Sequence, residues 1–138
     1  MTQALDTPRI VTLPKFNDPR GNLSVIENLR QIPFDMRRVY WIYDVPGGRR
    51  RYGHAFKHQQ ELIVALSGCF DVVLNNGAGE TLYRMDRAFK GLYVPAMTWR
   101  YINNFATNSV ALVISSTSYD PDDYIEDFDQ YLQALKLP

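Results

Sequence analysis

The chain has 138 residues, of which 46% are hydrophobic, and its fifteen basic and fifteen acidic side chains give no net charge. These totals predict one domain, residues 1–138, with one closed core, and the balanced charge argues against binding to nucleic acid or to an anionic membrane. The single cysteine, Cys69, excludes an internal disulfide and a multi-cysteine zinc site. Because residues 1–9 also lack the pattern of a signal peptide, we expect a cytoplasmic protein.

Short runs rich in β-branched and aromatic residues alternate with turn sequences, which is typical of an all-β sandwich or barrel. The clearest runs are residues 10–13, 23–28, 38–45, 62–66, 69–74, 80–85, 91–94, 99–103 and 110–115. Segments that favour bends lie between them, such as residues 19–22, 46–48 and 75–79. The sequence therefore predicts about nine short strands.

One helix is predicted, near the C-terminal end of the chain. Asp120 suits the N-cap, and Pro121 suits the first helical position. An apolar stripe follows at spacings of three and four residues, formed by Tyr124, Phe128, Tyr131, Leu132 and Leu135. We expect this helix to pack against the strands.

Two segments carry the candidate chemical groups. Residues 53–61 lead into a strand that ends at Gly68, and a second segment with Gly91, Pro95 and Arg100 follows about one hairpin later. This spacing resembles the two cupin motifs, in which a histidine, a second histidine two residues on, a glutamate and a later histidine meet inside a barrel and hold a metal. The corresponding positions in this chain are His54, Phe56, Glu61 and Arg100.

Two of these four positions do not suit a metal. Phenylalanine has no donor atom, and a guanidinium stays protonated and offers only N–H groups. His54 and Glu61 alone fall short of the usual three ligands, unless His58 joins them. We therefore expect a pocket without metal or other cofactor. In such a pocket, a histidine can act as a base near neutral pH and an arginine can stabilise an enolate oxygen.

Segments along nearly the whole chain resemble the sugar-nucleotide 3,4-ketoisomerases. These segments are residues 19–23, 38–48, 53–55, 66–68, 70–74, 90–95, 99–100 and 119–125. The resemblance implies a small dimeric jelly-roll cupin related to the rhamnose-pathway 3,5-epimerases. It also implies an isomerase that needs no metal and moves the ketone of dTDP-4-keto-6-deoxyglucose from C4 to C3 through an enediol, in the biosynthesis of deoxy amino sugars.

The resemblance also implies roles for individual residues. His54 would remove the C3 proton, Arg100 would stabilise the enediolate or the sugar oxygens, and Arg20 would line the same pocket. The family commonly has a second histidine where this chain has Phe56, so the second acid of the reaction is open. Its candidates are His58, which would face the same side as Phe56 if the strand continues, Glu61 and Tyr40.

Further cationic residues are candidates for binding the substrate. Arg51, at the end of an arginine run, could reach the substrate diphosphate, with Lys57 as a weaker candidate. Arg38 is expected in the pocket or in a salt bridge, because an unpaired inward charge is costly. The predicted catalytic residues are His54, Arg100 and Tyr40. The predicted substrate-binding residues are Arg20, Arg38, Arg51, Lys57, His58 and Glu61.

Two alternatives to this isomerase stay open at this point. The first is a protein that binds a sugar nucleotide without turning it over, which the presence of Phe56 favours. The second is a metal-dependent cupin that uses His54, His58 and Glu61. In either case no glycine-rich phosphate loop precedes a helix, so a nucleotide is expected at the mouth of the barrel.

Overall fold

The structure is a computed structural model that describes residues 7–47, 49 and 51–137, with the backbone alone for Arg51 and Tyr52. These residues form twelve strands and one α-helix, α1, which spans Phe128–Leu135. The strands are β1 (Arg9–Thr12), β2 (Lys15–Asp18), β3 (Gly21–Ser24), β4 (Arg38–Ile42), β5 (Arg51–Phe56), β6 (Glu61–Ser67), β7 (Phe70–Asn75), β8 (Glu80–Met85), β9 (Lys90–Val94), β10 (Trp99–Asn103), β11 (Val110–Ser115) and β12 (Tyr124–Ile125).

The core lies between two antiparallel five-stranded sheets. The strand order is β1-β9-β6-β11-β4 in one sheet and β12-β5-β10-β7-β8 in the other, while β2 and β3 form a separate hairpin. Apolar side chains from both sheets meet in one buried cluster, which includes Ile63, Val72, Leu92, Ile102 and Val113. The prediction of an all-β jelly roll with one C-terminal helix is confirmed.

The outer faces of both sheets are partly covered. Ile32 and Phe34 from the segment between β3 and β4 pack on Leu62 and Tyr93 of the first sheet. Tyr131 of α1 packs with Ala55 and Ile125 on the second sheet. Among the described residues, no helix combines the length and the apolar character that a membrane crossing requires.

The predicted strand positions hold best where turns bound them tightly. Strands β8, β10 and β11 have the predicted bounds. Strand β4 ends at Ile42, three residues early, and Asp44 then adopts a positive φ of 57° that interrupts the extended backbone. Strands β2, β5 and β12 are not among the nine clearest runs, because each is short or carries few apolar residues.

The predicted start of the helix is wrong. Asp120 caps only a 3-10 turn, Pro121–Asp123, and α1 begins at Phe128 with Asp127 as its N-cap. Tyr124 between them belongs to β12, where it pairs with Phe56 of β5. The reason is tertiary: strand pairing with β5 supplies the backbone hydrogen bonds that a continuing helix would otherwise supply.

Candidate active site

A buried ion pair lies at the centre of the candidate site. Glu61 begins β6 in one sheet and Arg100 lies on β10 in the other, and both side chains are at most 3% exposed. The Arg100 Nε donates to Glu61 Oε1 at 2.8 Å. Bringing two charges out of water is costly, so this pair persists only because further hydrogen bonds satisfy both groups.

Tyr40 completes this cluster from β4. Its hydroxyl donates to Glu61 Oε2 at 2.7 Å and accepts a hydrogen bond from Arg100 Nη2 at 2.9 Å. Burial raises the pKa of Tyr40 well above its usual value, and Glu61 raises it further while Arg100 opposes the shift. Tyr40 therefore stays protonated at neutral pH, with its one proton directed at Glu61.

Arg100 is the cationic donor of this cluster. Burial opposes its charge, but Glu61 and Tyr40 together raise the pKa of Arg100 above its usual value, so the guanidinium stays charged. Two of its five N–H groups are directed at Glu61 and Tyr40. A charged guanidinium is the kind of donor that stabilises negative charge on a substrate oxygen.

His54 lies directly beside this cluster. It occupies β5, and its Cα is paired with that of Arg100 across the β5–β10 ladder. Its ring makes an edge contact with Phe56 at a centroid distance of 4.9 Å and a tilted contact with Tyr124 at 5.3 Å, and its Nε2 is buried. Gly53 precedes it because a Cβ there would lie 2.6 Å from the indole nitrogen of Trp99. The four positions of the cupin pattern thus converge.

Gln59 is a further hydrogen-bond donor to the carboxylate of Glu61. Its side chain is buried, and its Nε2 donates to Glu61 Oε2 at 3.0 Å and to Ser115 Oγ at 3.2 Å. Thr117 Oγ1 donates to Gln59 Oε1 at 2.7 Å. Glu61 therefore accepts hydrogen bonds from Arg100, Tyr40 and Gln59, which fix its orientation.

Arg38 lies at the start of β4, two residues before Tyr40 on the same face. Its guanidinium carbon lies 4.9 Å from the ring centroid of Tyr40 and 5.3 Å from that of Tyr119. Arg38 thus continues the polar row from Arg100 and Tyr40 toward the end of the barrel at which β4 begins.

The remaining predicted substrate-binding residues lie elsewhere. Arg20 is at the turn between β2 and β3, where its side chain is 90% exposed and pairs with Asp18 at 2.8 Å rather than lining the interior. Lys57 and His58 follow the end of β5 and are exposed. The side chain of Arg51 lies outside the described residues.

His58 does not take the place expected for it. Strand β5 ends at Phe56, so the alternation that would have turned His58 inward stops before it. Its side chain is 82% exposed, and its Nδ1 lies 3.0 Å from Asp123 Oδ1. The buried Asp123 also accepts the backbone N–H groups of His58 and Gln59, and these bonds bend the chain away from the strand.

The metal-ligand trio of His54, His58 and Glu61 is not assembled. Within the described residues, no three histidine, cysteine or carboxylate side chains come together as metal ligands. Glu61 is instead oriented by Arg100, and His58 by Asp123.

Sequence reasoning missed several residues of this site. Gln59 carries no local signal, because its role depends on Ser115 and Thr117, which are more than fifty residues away. Tyr119 contacts Arg38 and Tyr124 contacts His54, and both lie in a segment for which the sequence predicts a helix and its approach. Recognising β12 as a strand would have placed Tyr124 beside the site.

Comparisons with known proteins identify the family of this chain. The family model described as "FdtA: WxcM-like, C-terminal" matches residues 6–136. A TDP-4-oxo-6-deoxy-alpha-D-glucose-3,4-oxoisomerase from Aneurinibacillus thermoaerophilus is 34% identical over 127 residues, covering 92% of this chain and 91% of that protein. A 3,4-ketoisomerase structure from Helicobacter canadensis is 33% identical with a TM-score of 0.90, over 93% of this chain and 96% of that one.

A third comparison includes a bound sugar nucleotide. It is a mutant 3,4-ketoisomerase from Thermoanaerobacterium thermosaccharolyticum in complex with TDP-4-keto-6-deoxyglucose, 29% identical with a TM-score of 0.91 over 94% of each chain. These findings confirm the family and the cupin-type jelly roll that the sequence resemblance implies. The chain belongs to the FdtA-like sugar-nucleotide 3,4-ketoisomerases, a family of isomerases.

Proposed function

We propose that the protein converts dTDP-4-keto-6-deoxyglucose to its 3-keto isomer without a metal, with His54 as base and Arg100 as the stabiliser of the enediolate. The observation that carries this proposal is the pairing of His54 with Arg100 across β5 and β10, beside the buried Glu61 and Tyr40. It places a base and a fixed cationic donor on neighbouring strands inside one barrel.

The proton movements balance with these groups alone. His54 takes the proton from C3, the C3–H electrons form the C3–C4 double bond, and the negative charge moves to O4, which Arg100 stabilises. The proton of O3 then passes to the adjacent O4. The imidazolium of His54 returns its proton to C4, and the electrons of O3 form the new ketone. The final state of His54 equals its initial state, so no external acid is consumed.

Glu61 and Tyr40 act by positioning in this scheme. Glu61 accepts hydrogen bonds from Arg100, Tyr40 and Gln59, which suits an acceptor that orients the guanidinium rather than an acid. Tyr40 directs its proton at Glu61 and so braces Arg100 from the other side. The substrate class is proposed because the named relatives are TDP-sugar isomerases and one of them is in complex with TDP-4-keto-6-deoxyglucose.

We further propose that the protein forms a homodimer through the outer face of β4. This strand is the edge of its sheet, and its outward residues Val39 and Trp41, with Tyr43 beyond it, are 48–60% exposed. An apolar edge strand is protected when a second copy covers it. The Trp41→Glu variant should be monomeric by light scattering, whereas a monomeric wild type would contradict the proposal.

We also propose a cytoplasmic location. A reducing cytoplasm would suit both the free Cys69 and a nucleotide-sugar substrate.

Proton NMR of dTDP-4-keto-6-deoxyglucose in deuterated buffer tests the activity. The wild type should give 3-keto product with deuterium at C4, because the base exchanges its proton with solvent between the two steps. The stereochemistry of the signal at C4 also identifies the product epimer. Binding of the substrate without exchange or product would support the alternative of a binding protein and contradict the isomerase.

A further inference from the structure

Tyr124 lies on the same face of the sheet as His54. Strand β12 pairs antiparallel with β5, with Tyr124 opposite Phe56. Opposite residues of an antiparallel pair share a face, and His54 shares it because it lies two residues before Phe56 on β5. The next pair of the ladder, Ile125 and Ala55, packs under α1 on the other face. The side chain of Tyr124 is therefore on the barrel side of β12.

The ring of Tyr124 packs against the proposed base. Its centroid lies 5.3 Å from that of His54 and 4.6 Å from that of Phe56. Tyr124 is partly buried, and its hydroxyl forms no hydrogen bond with another described residue. Burial is the main cause of the raised pKa of Tyr40, and electrostatic repulsion from the phenol group of Tyr124 adds to it. The phenol group of Tyr124 is therefore close enough to act on the buried cluster.

Hydrogen bonds to Asp123 fix the position of Tyr124. The buried carboxylate of Asp123 accepts the backbone N–H groups of His58 and Gln59 at 2.9 and 3.0 Å. Its backbone carbonyl accepts the N–H of Lys57 at 2.9 Å. The residue before Tyr124 is thus tied to the three residues that follow β5. Tyr124 is held beside His54 before any substrate binds.

The proposed reaction moves one proton from O3 to O4, and a side chain that both donates and accepts a proton would carry it. Phe56 has no such group. The proton of Tyr40 is directed at Glu61, which itself accepts hydrogen bonds. Of the two rings that contact His54 in the described part of the chain, only that of Tyr124 carries a hydroxyl.

We infer that Tyr124 is a catalytic residue whose hydroxyl carries the proton from O3 to O4. This inference rests on the proposed function, in which His54 moves the other proton from C3 to C4. As His54 takes the C3 proton, the hydroxyl of Tyr124 gives its proton to O4, and the enediol forms. The phenolate then takes the proton of O3, the electrons of O3 form the new ketone, and His54 returns its proton to C4. Both residues end in their initial states, so the step balances.

The test measures two rates for Tyr124→Phe by proton NMR of dTDP-4-keto-6-deoxyglucose in deuterated buffer. One is formation of the 3-keto product, and the other is deuterium uptake at C3 of the remaining substrate. Product formation should fall about 10- to 100-fold, because the relay is lost. Uptake at C3 should stay within about two-fold of the wild type, because His54 and Arg100 are intact. Binding of dTDP and the thermal unfolding temperature should not change.

Two further variants sharpen the assignment. Tyr101→Phe is the matched control, because its hydroxyl donates to Glu80 in an exposed contact at 3.3 Å. Both of its rates should equal those of the wild type. Phe56→His, added to Tyr124→Phe, places an imidazole that can donate and accept a proton next to the altered ring. This double variant should recover product formation about 10-fold over Tyr124→Phe alone.

The possible results separate the relay from the proposed function. A wild type that forms no product overturns both. An active wild type together with an equally active Tyr124→Phe variant overturns only the relay. Equal losses of C3 uptake and product formation in Tyr124→Phe would also overturn it, because Tyr124 would then act on the base step. The relay is likewise overturned if Phe56→His recovers no product formation in a double variant as stable as Tyr124→Phe.

Discussion

Two arginine–carboxylate pairs of the described residues have the same length but lie in opposite environments. Arg100 and Glu61 are joined at 2.8 Å inside the barrel with at most 3% exposure, while Arg20 and Asp18 are joined at 2.8 Å on a hairpin turn with 90% and 45% exposure. Water screens the second pair, but the first has only its protein neighbours to satisfy it. Two ion pairs of equal N–O distance are therefore expected to contribute differently to the stability of the protein.

The two histidines repeat this contrast within five residues. His54 lies on β5 beside Arg100, while His58 lies beyond the end of the strand with an 82% exposed side chain. Both are imidazoles of the same intrinsic basicity. Only His54, the interior histidine, lies beside a fixed donor, Arg100. The same substitution made at His54 and at His58 therefore compares an interior histidine with a surface histidine.

The largest expected effect is on turnover. His54→Asn should lower kcat about 10²- to 10⁴-fold, because it removes the base while keeping a similar shape. The matched control, His58→Asn, should retain wild-type turnover. Both rates are measured by NMR with the keto sugar, and dTDP binding should persist in both variants. Comparable activity in His54→Asn and the wild type would remove His54 as the base.

The buried ion pair should control stability. Glu61→Gln keeps the shape but leaves the Arg100 charge without a counter-ion, so the free energy of unfolding should fall by about 3 kcal/mol, near the lower end for breaking a buried pair. Asp18→Asn makes the same change in the exposed pair and should have no measurable effect. Urea unfolding measures both. Equal stability of the two variants would show that burial does not distinguish the pairs.

The Tyr40 hydroxyl should contribute a smaller amount. Tyr40→Phe removes one donor from Glu61 and one acceptor from Arg100, which should lower the free energy of unfolding by about 1–3 kcal/mol. Tyr101→Phe, which removes a hydroxyl that donates to Glu80 at 3.3 Å in an exposed contact, is the control and should have a smaller effect. The expectation fails if the two variants have the same urea midpoint.

The smallest effect should appear at alkaline pH. Burial raises the pKa of Tyr40 in the folded protein above the value near 10 of the unfolded chain. Above pH 10 the unfolded state loses this proton while the folded state keeps it, so stability is complete below about pH 10 and falls as pH rises toward the folded pKa. Tyr40→Phe should show a shallower decline between pH 9 and 11 in urea unfolding. Parallel curves for this variant and the wild type would contradict the shift.

Much of the fold could be predicted from local pattern. Runs rich in β-branched and aromatic residues between turns predict strands β8, β10 and β11, and the resemblance to the cupin motifs predicts that His54, Glu61 and Arg100 meet. The start of the helix could not be predicted, because the segment at Tyr124 is a plausible helix on its own. Its pairing with Phe56 on a distant strand decides otherwise.

The sequence by itself determined an all-β fold and the residues at the motif positions, because these depend on residue types and their spacing. Its resemblance to the 3,4-ketoisomerases added the family and the jelly roll. Only the tertiary structure decided which of the polar groups act together. In the folded chain, His58 points outward and contacts Asp123, and Arg20 is exposed on the surface. Gln59 donates a hydrogen bond to Glu61. The physical reason is that burial and hydrogen-bond partners come from residues far apart in the chain, and these set the charge and orientation of each group.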